Sequence, residues 1–283
     1  MARLTLNHFS QTLQMGMTLT ACLPEKAQGI GMNGNAGWDG ARPLKTLYLL
    51  HGNTDDQTSW QRQTSIERYA MTHNLAVIMP TTHLAAYTNQ RYGLRYFDYI
   101  AYEVPEISGR YFPLSDRRED QFVAGLSMGG YGAMKIGLSR PDFFSHIISL
   151  SPGIDRLFLV REMLGTIRSM EDLRARQQDL PPDHHKRLMQ FFTNFGSVDE
   201  YERSDHDNLF ELVKTVARGQ THLPNIYVAC GTEDFLLEPN RRFHQLLSQL
   251  GIEHEYHEAP GIHNWEFWDE HIQHGLNWIF HHG

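Results

Sequence analysis

Ser127 sits at the centre of Gly125-Leu126-Ser127-Met128-Gly129, a G-x-S-x-G run. A serine hydroxyl is a weak nucleophile until a base takes its proton and a turn projects it clear of the backbone. This spacing supplies the turn. The serine sits on a sharp, strained strand-to-helix bend, and the two glycines leave room where a side chain would strike a neighbouring element. The bend also puts the Met128 N–H at a helix N-terminus, where a developing oxyanion can be stabilised. A bare G-x-S-x-G is common by chance. Here apolar Phe122-Val123-Ala124 precedes it and a helical pattern follows it.

The hydroxyl then needs a base, and the base an orienting carboxylate. Where this turn is found on an α/β sheet, the acid follows the serine in the chain and the histidine comes last. The segment NIYVAC at 225–230 runs into Gly231-Thr232-Glu233-Asp234, which offers Asp234 as the acid, with Glu233 as its neighbouring rival. Asp155, Asp205 and Asp207 lie in a long insertion and are poorer candidates. The last strand, 253–258, runs into Ala259-Pro260-Gly261-Ile262-His263, between a glycine and the final helix. Among 17 histidines, position singles out His263 as the base. A second oxyanion donor is expected from the loop after TLYLL, where Gly52 lets the backbone bend and the Asn53 N–H becomes the donor. No H-E-x-x-H, G-x-G-x-x-G or P-loop occurs, so neither a metal nor a cofactor is expected. The run His254-Glu255-Tyr256-His257-Glu258 alternates across a strand and reads as structural or solvent-facing.

These residues need a scaffold. Strands are expected near 4–13, 17–23, 46–50, 75–79, 121–126, 146–150, 225–230 and 253–258, the first two antiparallel at an edge. Helices are expected over 60–71, 97–107, 238–250 and 264–280. Apolar strands alternating with helical patterns imply an eight-stranded, mostly parallel sheet with helices on both faces, Ser127 following the fifth strand. The Gly-rich stretch 28–43 reads as a loop. The interval at about 153–223, after the sixth strand, breaks the alternation and reads as a helical cap over the site, within a single domain spanning 1–283. Its apolar residues Leu157, Phe158, Met163, Leu164, Leu188, Phe191 and Phe192 could wall a short pocket or pack the cap onto the sheet.

At 283 residues the chain can bury a large core, and its net charge of −8 disfavours nucleic acid and anionic membrane as partners. Cys22 and Cys230 read as buried free thiols. The N-terminus lacks the long apolar stretch of a secretion signal, so a cytoplasmic location is expected. Homo-oligomerisation is left open.

The chain resembles the esterase D-like branch of the α/β-hydrolases, most closely the bacterial tributyrin esterases. The matching runs are FSQTLQMGMTLTACLP, LYLLHGNTDDQTSW, AYTNQRYGLRYFDYIAYEVPEI, FVAGLSMGGYGAMKIGL, CGTEDFLLEPNRRF and GIHNWEFWDEHI. The resemblance implies the α/β-hydrolase fold and a cofactor-free serine carboxylesterase acting on small, short-chain esters through an acyl-enzyme. It makes Ser127 the nucleophile, His263 the base and Asp234 its partner, with Asn53 and Met128 as oxyanion donors. Relatives with acylated sugars, cinnamoyl esters or S-formylglutathione as substrates keep those classes open, and acyl transfer to an alcohol is a further alternative. A non-catalytic binding protein on this scaffold would usually have lost a triad member, and this chain has all three.

Overall fold

Five stretches in the middle of the chain are buried almost from end to end: β3 (Lys45–Leu50), β4 (Leu75–Pro80), β5 (Gln121–Leu126), β6 (His146–Leu150) and β7 (Asn225–Gly231). Successive side chains of a strand point to opposite faces, so such runs require apolar cover on both sides. The computed structural model, which describes residues 1–26, 38, 40–219 and 222–281, supplies it. Leu47, Leu49, Val77, Phe122, Ala124 and Ile148 face one layer, formed with Trp60, Ile66, Phe267, Trp268 and Leu276. Tyr48, Ile78, Val123, Ile147, Ile226 and Val228 face the other, which includes Tyr131, Met134, Phe144 and Phe243.

With β1 (Ala2–Ser10), β2 (Met15–Leu23) and β8 (Glu255–Ala259), the sheet has eight strands in the order β1-β2-β4-β3-β5-β6-β7-β8. The β1–β2 and β2–β4 pairs are antiparallel and the rest parallel. The carboxyl ends of β3, β5, β7 and β8 therefore lie along one edge. That edge is where α/β sheets place ligands.

Two expectations change. The helix expected over 60–71 is two, Ser59–Gln63 and Ile66–Thr72. At the break the Thr64 hydroxyl donates to the Trp60 carbonyl at 2.6 Å, a local bond that competes with the helical ladder. The helical segment around 97–107 continues from Tyr96 to Tyr111 despite Pro105, passing through a π-helical turn at Tyr99–Glu103. A proline ring crowds the carbonyl four residues back, and the wider π turn gives it room. The stretch 28–43 falls largely outside the described residues. Between β6 and β7 the chain forms helices, the longest being Pro182–Phe195 and Leu209–Gly219. Cys22 and Cys230 are buried and free. Among the described residues no helix is long and apolar enough to cross a membrane.

Candidate active site

β5 ends at Leu126, and Ser127 turns the chain into the helix Met128–Ser139 with φ +52° and ψ −113°. A non-glycine residue there is strained, and the surroundings must hold it. They do so through backbone: the Ser127 N–H donates to the Leu150 carbonyl at 2.8 Å, and the Ser127 carbonyl accepts from Gly153 at 3.0 Å. The two elbow glycines are required by space. A Cβ on Gly125 would lie 2.3 Å from the Gly129 carbonyl oxygen, and one on Gly129 would lie 2.4 Å from that of Leu50.

The loop after β7 carries Asp234 and the loop after β8 carries His263. The two loops are stitched together: the Thr232 N–H donates to the Ala259 carbonyl at 2.8 Å, and Glu233 N–H to the Gly261 carbonyl at 3.0 Å. The Glu233 carboxylate takes the Gly261 N–H at 2.6 Å. Glu233, the sequence rival, thus fastens the histidine loop and does not meet the imidazole. Asp234 meets it. Its buried carboxylate accepts the Leu236 N–H at 2.8 Å on Oδ1 and lies 2.8 Å from His263 Nδ1 on Oδ2. An ionised carboxylate only accepts, so Nδ1 carries the proton and Nε2 is left to accept. His263 Nε2 lies 2.9 Å from Ser127 Oγ. Trp268 meets the imidazole edge-on and Phe235 tilts against it, with centroids 4.9 and 4.7 Å away. Of the other aspartates, Asp155 pairs with Arg242 and Asp207 with Lys135.

The loop after β3 brings Gly52 and Asn53 into the same cleft as Ser127 and His263, a cavity of about 550 Å³. A Cβ on Gly52 would strike Leu126 at 2.6 Å, just before the elbow. Met128 opens its helix, so its N–H has no intrahelical acceptor. The direction of the Asn53 N–H follows from how the Gly52 carbonyl is held, by the Asp55 N–H at 3.4 Å and more closely by His51, a residue whose role the sequence did not reveal. Buried His51 accepts the Thr82 N–H on Nε2 at 3.0 Å, so its proton is on Nδ1, which donates to the Gly52 carbonyl at 2.7 Å. In a trans peptide the C=O and the following N–H point opposite ways. Holding the Gly52 carbonyl against His51 therefore turns the Asn53 N–H away from the imidazole. Burial brings the His51 pKa down to about 4 and keeps the ring neutral. The available signal was a histidine directly between an apolar strand and a glycine.

Of the seven apolar insertion residues named from sequence, Phe191 lines the cleft; the other insertion residues there include Leu159, Val160 and Phe195. Leu157, Leu164, Leu188 and Phe192 belong to the core, and Met163 packs against it. The histidines around β8 engage protein groups: His254 lies 2.7 Å from His244, and Glu258 binds Arg241. On the last helix, Glu270, His271 and His274 bring potential ligand atoms within 4.8 Å of one another, a grouping the sequence did not single out.

A serine, an imidazole and a carboxylate in sequence-distant loops, hydrogen-bonded in series, can relay a proton off a hydroxyl. Residues 10–279 match the family model described as "Putative esterase". The chain belongs to this esterase family. An acetyl esterase of Caldicellulosiruptor saccharolyticus is 30% identical to it over 280 residues, 99% of this chain and 98% of its own length. Among solved structures, the fluorophosphonate-binding serine hydrolase FphF of Staphylococcus aureus is 35% identical, with a TM-score of 0.79 and 98% of each chain covered. S-formylglutathione hydrolase FrmB of the same organism is 32% identical, with a TM-score of 0.77 and the same coverage. This esterase is accordingly a serine hydrolase of carboxylic esters on the α/β-hydrolase fold.

Proposed function

We propose that this esterase hydrolyses small, short-chain carboxylic esters through an acyl-enzyme on Ser127, with His263 as general base and Asp234 as its orienting partner. The observation that carries the reading is the unbroken series Asp234 Oδ2–His263 Nδ1 at 2.8 Å and His263 Nε2–Ser127 Oγ at 2.9 Å. As Ser127 Oγ attacks the ester carbonyl, its proton passes to His263 Nε2. The negative charge moves to the carbonyl oxygen, which the Asn53 and Met128 N–H groups stabilise. Collapse expels the alcohol, which takes the proton from His263. Water then attacks the acyl-enzyme by the same route and releases the acid. The helices between β6 and β7 act as a cap that roofs the site, and the cleft favours short acyl chains.

Ser127→Ala should fold as the native protein does and lose ester hydrolysis by ~10⁴-fold or more, retaining only what binding and oxyanion donors supply. A fluorophosphonate probe should label native protein at Ser127 and nowhere else. Rates should fall from acetyl and butyryl to octanoyl esters. Labelling at another residue, or a mutant with substantial activity, would sink the assignment; equal rates on palmitoyl and acetyl esters would sink the short-chain preference.

A further inference from the structure

Arg156 lines the cleft that holds Ser127 and His263. Its Nε is wholly buried and meets no hydrogen-bond acceptor. Among the described residues no carboxylate forms an ion pair with its guanidinium. The adjacent acid, Asp155, is engaged elsewhere: its carboxylate accepts from Arg242 at 3.0 Å and from the Phe158 N–H at 3.0 Å. What holds Arg156 is the Tyr131 ring, whose centroid lies 5.5 Å from Cζ, and the absence of a side chain on Gly153. A Cβ there would lie 2.9 Å from Nη1 and 3.9 Å from the Ser127 carbonyl oxygen, so Nη1 lies close to the backbone beside the elbow.

Arg156 as a whole is half-buried, but its Nε is shut off from water; a shielded N–H without an acceptor is costly, and a guanidinium cannot escape by losing its proton. Burial does pull its pKa below the usual arginine value. An anion from outside the chain would meet that need, most strongly by a two-point contact. The rest of the cleft leans the same way. Lys186 and Arg187 line it from the helix Pro182–Phe195, against Asp55 and Asp183. Burial also pushes the Asp55 carboxyl up, which weakens the opposing charge. Three cations line the cleft against two carboxylates, in a chain of net charge −8.

We propose that this cleft takes esters bearing an anionic group and that Arg156 binds that group beside the reacting carbonyl. The inference rests on the ester-hydrolase reading above and deepens it. The group could sit on the acyl chain or on the alcohol, and two matched substrate pairs separate these. Methyl butyrate against monomethyl succinate places a carboxylate on the acyl side; phenyl acetate against 4-acetoxybenzoate places one on the leaving group. For one pair, native protein should show kcat/KM at least tenfold higher for the anionic member. That ratio should drop about tenfold or more in Arg156→Met, be partly kept in Arg156→Lys, and shrink as salt is added. A merely structural loss would lower both members of a pair alike and leave the ratio in place. An unchanged ratio in Arg156→Met for both pairs, or a native preference for the neutral member of both, overturns the proposal. If Arg156→Met does not fold, inhibition of native phenyl acetate hydrolysis decides: free succinate and 4-hydroxybenzoate are compared with their uncharged amides, and equal inhibition overturns it. No turnover of any of the four esters would instead overturn the hydrolase reading on which it stands.

Discussion

Two donors hold the Gly52 carbonyl, His51 Nδ1 at 2.7 Å and, more loosely, the Asp55 N–H at 3.4 Å, and the orientation of that carbonyl decides where the next N–H points. His51, the closer donor, acts from a buried position with a fixed tautomer, and under the proposed mechanism it positions the Asn53 N–H for the oxyanion. His51→Ala should lower kcat by ~10²–10³, the range seen on losing one oxyanion donor, with a smaller effect on KM. His51→Asn keeps an N–H near the same carbonyl and should recover part of the loss. A variant with native kcat and native fold would refute the role. The two neighbouring acids separate in the same way. Asp234→Asn removes the acceptor that holds the His263 tautomer and should cut kcat by ~10⁴. Glu233→Gln loosens the Gly261 contact and should cost far less; the reverse order would make Glu233 the orienting acid. Sequence could propose both acids, since each follows a strand by a few residues. It put Asp234 first and kept Glu233 as the rival; in the structure the two differ in which carboxylate faces inward, Glu233 being exposed and Asp234 buried.

At the scale of elements, the inner parallel strands were legible because each must be apolar on both faces, and TLYLL, LAVIM and NIYVAC are; the edge strand β8, EYHEA, is mostly exposed. The insertion was legible only as a departure from that pattern. Which of its side chains face the cleft depends on how its helices dock, and a charged residue decides much of that. Lys135, on the helix after Ser127, is fully buried and pairs with Asp207 of the insertion at 2.5 Å. Thr88 donates to the same carboxylate, and the Tyr131 hydroxyl to the Asp207 carbonyl at 2.7 Å. Burial alone would raise the Asp207 pKa, but Lys135 and these donors outweigh it and hold the carboxyl below its ordinary value. Neither residue announced this in sequence, where Asp207 competed as a catalytic acid. Breaking one side of a buried pair leaves the other charge stranded, so Asp207→Leu should destabilise the fold by about 3–5 kcal/mol. Lys135→Met together with Asp207→Leu should lose much less. Thermal or urea unfolding of the two single mutants and the double mutant measures the coupling. Additive single losses would mean that the pair does not anchor the insertion.

For the whole molecule, the abundance of histidine shapes stability more than it marks a site. His51, His146 and His271 lie in separate parts of the fold, after β3, in β6 and on the last helix. Burial, the largest influence on each, brings all three down to about 4, with Arg118 and Lys45 adding to the effect at His146 and His274 at His271. An unfolded histidine titrates near about 6.5. As pH falls through that value the unfolded chain binds protons that the folded chain refuses, so stability is complete above about 6.5 and drains away down to about 4. His51 alone, the most deeply buried of the three, contributes about 3 kcal/mol over that window. Asp207 works in the same direction but lower. Its depressed carboxyl lends stability that is full above about 3.9 and is lost as pH falls further through its folded value. Acid unfolding should therefore begin with the histidines, well before the buried ion pair is protonated. Tm followed by circular dichroism should decline steadily between pH 7 and pH 4.5, and His146→Gln should flatten the slope by about one proton's share even if it lowers Tm at neutral pH. A Tm that stays level or rises across that interval would mean that the buried histidines take up protons as readily as those in the unfolded chain.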